Sequence, residues 1–244
     1  MTADFPAFLK KLSDTFNALG LDRLLTRERG EAFFALYQLL VEENEKYNLT
    51  AVTDADGVIL LHFADSLMAE GLIPAGASVM DVGCGAGFPS LPLAICRPDL
   101  TITATDATAK KIGFVTMAKE ALGLANITGL TARAEVIGRG DHRDRYDLVT
   151  ARAVANLPML MELSAPLVRK GGHFLALKGR TAMEELTAAR HAAGELKCKL
   201  VFTKEYEIGE GEARQGRGIL LFEKTAPTPE TYPRPFARIK SRPL

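Results

Sequence analysis

Residues 79–88 read Val-Met-Asp-Val-Gly-Cys-Gly-Ala-Gly-Phe, an apolar run that ends in glycines at alternate positions. A pattern of this kind describes a buried strand that breaks into a tight turn. Gly83, Gly85 and Gly87 remove the Cβ atoms where the strand ends, so a flat polar ligand can lie against bare main chain. A dinucleotide fingerprint of the form G-x-G-x-x-G, counted from Gly83, requires glycine at position 88, which is Phe88. The spacing D-x-G-x-G-x-G from Asp81 suits a nucleoside ligand without a pyrophosphate. S-adenosyl-L-methionine is the commonest such ligand and is the expected cofactor.

The surrounding texture supports an α/β fold. Strands are expected at Val79–Val82, Thr101–Thr105, Ile127–Leu130, Asp147–Ala151, His173–Leu177, Leu200–Thr203 and Ile219–Glu223. Helical stretches fall between them at Ala109–Leu122, Leu157–Val168 and Ala182–Ala192. Alternation of this kind implies a mostly parallel sheet with helices on both faces. The last two strands lie too close for a crossover helix, so an antiparallel hairpin through Gly209–Gly218 is expected. The result is a Rossmann-like, mostly parallel seven-stranded sheet with one antiparallel strand. Ahead of it, Phe33, Leu36, Tyr37 and Leu40 recur at helical spacing. That helix runs out near Asn48, and a second one runs from Thr53 or Asp54 to Gly71. The expected organisation is therefore a helical cap over 1–75, a cofactor-binding domain over 76–225 and a basic tail over 226–244.

In open α/β sheets, ligands sit beyond the carboxyl ends of the strands. Gly83, Gly85, Gly87 and Phe88 follow the first strand, with Pro89 opening a helix. Asp106 closes the second, where a carboxylate can accept ribose hydroxyls or, alternatively, cap the Ala109 helix. Ala134 and Glu135 follow the third after Arg133, on the adenine side, although Glu135 also answers a helix dipole. Arg152 follows the fourth strand, and Lys178-Gly179 follow the fifth. Cys84 reads as a small filler rather than a nucleophile.

Thirty basic and thirty acidic residues balance, which argues against gripping nucleic acid by bulk charge. The run 231–244 nevertheless carries Arg234, Arg238, Lys240 and Arg242 with no acidic residue. Its prolines are expected to prevent a helix, leaving a solvated tail or a phosphate-contacting arm. The N-terminus shows no secretory signal, and no apolar run approaches the roughly 18–20 residues of a membrane span. Cys84, Cys96 and Cys198 form no C-x-x-C pair, so no zinc site is expected. A cytoplasmic monomer fits these features.

Two absences narrow the reaction. Methylation of exocyclic amines usually comes with Asn/Asp-Pro-Pro-aromatic after the fourth strand, and here the stretch is Thr-Ala-Arg-Ala. Pyrimidine C5 methylation needs a nucleophilic cysteine, and none follows the fourth or fifth strand. The acceptor atom is then one that is already nucleophilic, or one activated by a base that the sequence does not reveal.

Tyr47-Asn48-Leu49-Thr50, His62-x-x-Asp65-Ser66, the Asp81 glycine motif through Pro89, Arg152-Ala153 and Leu177-Lys178-Gly179 occur in that order. Together they resemble the bacterial small-subunit (16S) ribosomal RNA guanine-N7 methyltransferases, also called glucose-inhibited division protein B. The resemblance is strong over roughly 30–180 and partial over the tail, where Tyr232-Pro233-Arg234 looks like members with a basic tail. It implies a class I methyltransferase fold and methylation of guanine N7 at one site in small-subunit ribosomal RNA or the 30S particle. It also implies cofactor contacts at Gly83, Phe88, Ala134, Glu135 and Arg152, with Asp106 close by. No acid–base residue is expected; Arg152, His62, Asp65 and Asn48 are positioning candidates. Ser90, where many members carry glycine, and the charged segment Gly138–Arg145 depart from the pattern. Methylation of a small molecule or protein, and a non-enzymatic nucleotide-binding module, are the competing readings.

Overall fold

The computed structural model describes residues 4–209, 211 and 214–244. Seven strands form one sheet: β1 (Ser78–Val82), β2 (Thr101–Asp106), β3 (Ile127–Thr131), β4 (Tyr146–Arg152), β5 (Val168–Gly179), β6 (Cys198–Ile208) and β7 (Gln215–Lys224). Their order is β3-β2-β1-β4-β5-β7-β6. The first five pair in parallel, and β7 runs antiparallel to both β5 and β6. All seven expected strands are present, with the expected single reversal. The hairpin turn is shorter than expected, because Gln215–Gly218 belong to β7; residues 210, 212 and 213 of that turn, like residues 1–3, lie outside the described residues.

Two long helices open the chain, α1 (Phe5–Ala18) and α2 (Arg27–Tyr47). Thr26 caps α2 through the N–H of Arg29, and Asn48 ends it in the left-handed conformation at φ 49°. A helical stretch follows in three pieces: α3 (Ala55–Gly57), a π-helical turn over Val58–Ala64, and α4 (Asp65–Leu67). Such widened turns recur at functional sites, and this one carries His62. The crossovers hold α5 (Ser90–Cys96), α6 (Ala109–Ala121), α7 (Ala134–Ile137), α8 (Leu157–Ser164), α9 (Ala182–Ala188) and α10 (Arg190–Glu195).

Alternation along β1 sends side chains to two cores. Val79 joins a cluster with Phe16, Phe33, Leu36 and Phe63 of the N-terminal helices. Met80 and Val82 face the other side, with Leu160 and Met161 of α8. The helical cap therefore shares its core with one face of the sheet, which fixes it over the carboxyl ends of the strands.

One expectation fails. The tail forms a short helix, α11 (Phe236–Ser241). Proline breaks a helix only from its interior. Here Pro235 stands at the N-cap and Pro243 beyond the end, so the prolines bracket the helix. The tail is not a loose solvated segment either, since Ile239 is fully buried.

Candidate active site

A cavity of about 540 Å³ opens where the cap overhangs the carboxyl edge of the sheet. Its floor is the glycine turn. The N–H groups of Gly83 and Cys84 donate to Thr105 O at 2.8 and 2.9 Å, tying the turn to β2. Gly83, Gly85 and Gly87 all adopt left-handed φ, at 71°, 57° and 83°. A Cβ on Gly83 would meet Val154 Cγ2 at 2.6 Å, whereas one on Gly85 would meet nothing within 4 Å. Gly85 thus faces open space, a cradle that a side chain would fill and a ligand can use.

Asp106 stands behind this floor. Its carboxylate accepts the N–H of Gly85 at 3.2 Å and of Thr108 at 2.8 Å, and lies 3.4 Å from Lys111 Nζ. Gly85 and Lys111 line the cavity, and Asp106 reaches it through them. Asp81 is fully buried in β1. Its Oδ2 accepts the N–H and hydroxyl of Ser90 at 3.2 and 2.7 Å, and its Oδ1 has no partner among the described residues. Burial pushes its carboxyl up to about 7. Ser90, the departure from glycine, is thus the donor that holds Asp81. Ala134 and Glu135 open α7 after β3 and do not line the cavity.

The wall comes from the cap and from β4. Phe88 stacks on His62, with ring centroids 4.6 Å apart and planes at 18°. His62 Nε2 is 2.8 Å from Thr50 Oγ1. Burial and the neighbouring Arg152 charge lower its pKa to about 4, so the ring is neutral at physiological pH. Asp65 gathers three donors: Arg152 Nη1 at 3.3 Å, Arg217 Nε at 3.2 Å and the Tyr206 hydroxyl at 2.8 Å. Arg152 Nη1 also donates to Leu61 O at 2.7 Å. The structure therefore brings His62, Asp65, Phe88 and Arg152 together, while Asn48 shapes the turn that delivers Leu49 and Thr50 to the cavity. On the far side, Lys178 Nζ donates to Ala155 O at 2.6 Å and pairs with Glu185 at 2.7 Å. Glu185 in turn accepts the N–H of Leu157 at 2.7 Å, fixing the loop that follows Arg152.

Sequence reasoning missed Tyr206, Arg217, Thr50, Lys111 and Glu185. For Arg217 a signal existed. The strand β7 is antiparallel, so its amino end, not its carboxyl end, lies at the ligand edge, and Arg217 stands there between Gly216 and Gly218. Among the described residues, no group of histidine, cysteine and acidic side chains is arranged to hold a metal ion, and no helix is long and apolar enough to cross a membrane.

The sheet order, the single reversed strand and the glycine turn below an overhanging cap define a class I, Rossmann-like methyltransferase. The match to the family described as GidB, rRNA small subunit methyltransferase G, covers residues 29–213. The chain belongs to this family, and with it to the S-adenosylmethionine-dependent methyltransferases. It is 44% identical over 212 residues to the ribosomal RNA small subunit methyltransferase G of Staphylococcus saprophyticus, covering 86% of this chain and 88% of that one. Identity to the protein of the same name from Deinococcus radiodurans is 43% over 233 residues, covering 94% and 90%. Among solved structures, the fold is similar to a precorrin-6y C5,15-methyltransferase from Geobacter metallireducens, with a TM-score of 0.50 at 14% identity over 73% of this chain and 92% of that one. It is also similar to a 16S rRNA (adenine-N1)-methyltransferase from Catenulisporales acidiphilia, with a TM-score of 0.52 at 12% identity, covering 65% and 90%.

Proposed function

We propose that the chain transfers a methyl group to N7 of one guanine in small-subunit (16S) ribosomal RNA, acting in the cytoplasm on the RNA or the 30S particle. The relatives' names support the RNA. The observation that carries the reading is the cavity itself, open at Gly85 on its floor and walled by Phe88, His62 and the Asp65-centred cluster.

When bound, S-adenosylmethionine supplies an electrophilic methyl group. Gly83, Gly85, Phe88 and Arg152 line the cavity and are assigned direct contact with it. Asp106 acts beside Gly85 and Lys111, while Ala134 and Glu135 flank the adenosine side at the end of β3. Asp81 and Gly87 hold the turn in shape from below. Guanine N7 is an unprotonated lone pair, so no residue has to remove a proton. What the chain contributes is alignment, which supplies about 7–11 kcal/mol in well-oriented reactions. His62, held neutral, and Phe88 present an aromatic wall against which a base can pack, and such stacking is worth about 1–3 kcal/mol. N7 lies on the deep, narrow groove edge of A-form RNA, so the target is an unpaired or exposed base.

Incubating the purified protein with labelled S-adenosylmethionine and unmodified 30S particles tests this reading. Label is expected in N7-methylguanine, and Asp106→Ala is expected to abolish both cofactor binding and transfer. Label appearing in protein or small molecules without any need for ribosomal RNA contradicts it.

A further inference from the structure

We propose that the C-terminal strap, ending in α11, is a fixed cationic surface that contacts the phosphate backbone of the RNA substrate. It rests on the ribosomal RNA reading above and adds to it a surface outside the family match, which ends at residue 213.

The strap is held in place along its length. Arg143 donates to the carbonyl oxygens of Thr228 and Tyr232 at 2.5 and 2.8 Å, and Arg139 to those of Thr231 and Pro233 at 3.1 and 2.7 Å. These arginines belong to the charged segment 138–145 that departs from the family pattern. The charged segment and the tail therefore meet, the one holding the other. Arg234 then forks onto Glu162 of α8, with Nε at 2.8 Å and Nη2 at 2.6 Å, and its backbone N–H adds a third bond at 2.8 Å. Glu162 is fully buried. Burying a carboxylate to hold a surface segment is costly unless it is paired in this way.

What the strap displays is positive charge. Arg238, Lys240 and Arg242 are exposed and form no ion pair among the described residues. Arg133, whose side chain is 59% exposed, lies over the Phe236 ring at 5.7 Å. Since Arg133 follows β3, this contact sets the start of α11 beside the ligand-binding edge of the sheet. The strap begins after β7, packs Ile239 into the core shared with α8, and is closed by Arg234 Nη2 donating to Arg242 O at 3.0 Å, so its cations stand on one anchored surface. In a chain of zero net charge this is a local field, suited to a polyanion that must also reach the cavity. Holding the cations rigidly lowers the entropic cost of binding, and each phosphate neutralised releases counterions, which makes binding salt-dependent.

The test compares wild type with the triple variant Arg238→Ser, Lys240→Ser, Arg242→Ser and with the charge-preserving Arg238→Lys, Arg242→Lys. Affinity for unmodified small-subunit ribosomal RNA is measured between roughly 50 and 200 mM salt. In the triple variant the slope of log affinity against log salt is expected to fall by about 2–3, and KM for RNA to rise about tenfold. Its kcat, cofactor affinity and Tm stay at wild-type values, and the lysine variant keeps the wild-type slope. An unchanged slope in the triple variant overturns the proposal, as does a lost slope in the lysine variant. So does a triple variant that loses only its binding to phosphatidylglycerol vesicles. Wild-type turnover on the same RNA separates the two levels: if it is absent, the substrate reading fails rather than the strap.

Discussion

Asp65 and Arg152 meet at 3.3 Å across the seam between the helical cap and the sheet, although 87 residues separate them in the chain. The carboxylate holds Arg152 from β4, Arg217 from β7 and Tyr206 from β6 in one arrangement. One acidic side chain on the cap thus orders the groups contributed by three strands.

Asp65→Ala leaves two guanidinium groups and a phenol without their shared acceptor. Removing one partner of a buried ion pair costs about 3–5 kcal/mol, and misplacing positioned groups by about 1 Å costs on the order of a hundredfold in rate. We expect kcat to fall by about that factor, with a lower Tm. Cofactor binding is expected to fall much less than turnover. Equal kcat in variant and wild type removes Asp65 from the positioning role.

The glycine turn separates two kinds of defect. At Gly85 an alanine meets no neighbour, so Gly85→Ala pays only the left-handed backbone strain of about 1–2 kcal/mol. Its methyl nonetheless enters the cradle, and methyl transfer is expected to drop about a hundredfold. At Gly87 the added Cβ collides with the Leu91 side chain in the core. Overpacking of this kind costs a further 1–3 kcal/mol or so, and Gly87→Ala is expected to lower Tm well below that of Gly85→Ala. Equal Tm values for the two variants contradict this account.

The architecture was legible in the sequence because strand and helix periods alternate cleanly from Ser78 onward, and because the glycine turn marks the ligand edge. The half of the site that follows parallel strands was legible for the same reason: Gly83, Phe88, Asp106 and Arg152 all stand at carboxyl ends. Tyr206 was not, because the strand expected at Leu200–Thr203 runs on to Ile208 and carries Tyr206 near its carboxyl end; Arg217 was passed over because β7 is reversed and turns its amino end to the ligand. Asn48 marked the loop: its left-handed conformation turns the chain, and Thr50 two residues on makes the contact with His62. The tail was misread by counting its prolines without their positions. Its fold depends on a distant partner, Glu162, that local propensity cannot reveal.

Asp81 gives the protein a pH signature. Burial holds its carboxyl up at about 7, against about 3.9 in an unfolded chain. Between these values the folded state binds the proton more tightly. The stabilisation from Asp81 is therefore complete below about pH 4, is lost as pH rises through about 7, and changes no further above that. Asp81→Asn removes this dependence. Denaturant titrations from pH 5 to 8 should show the variant gaining on wild type as pH rises, and parallel curves contradict it.

The Glu162–Arg234 clamp is expected to matter for stability. Arg234→Met leaves Glu162 charged and buried without its fork, and the expected loss is about 3–5 kcal/mol. The paired change Glu162→Met, Arg234→Met removes both charges and is expected to recover most of that loss. A double-mutant cycle by denaturant unfolding measures the coupling; additive losses contradict a clamp.

This cavity is assigned the task of placing guanine N7 of small-subunit ribosomal RNA in line with a methyl donor. The most direct test maps N7-methylguanine along that RNA in cells lacking every other copy of the family, with and without this protein. One guanine is predicted to carry the mark only when the protein is present, and to lose it with Asp106→Ala. Identical modification in all three strains contradicts the account.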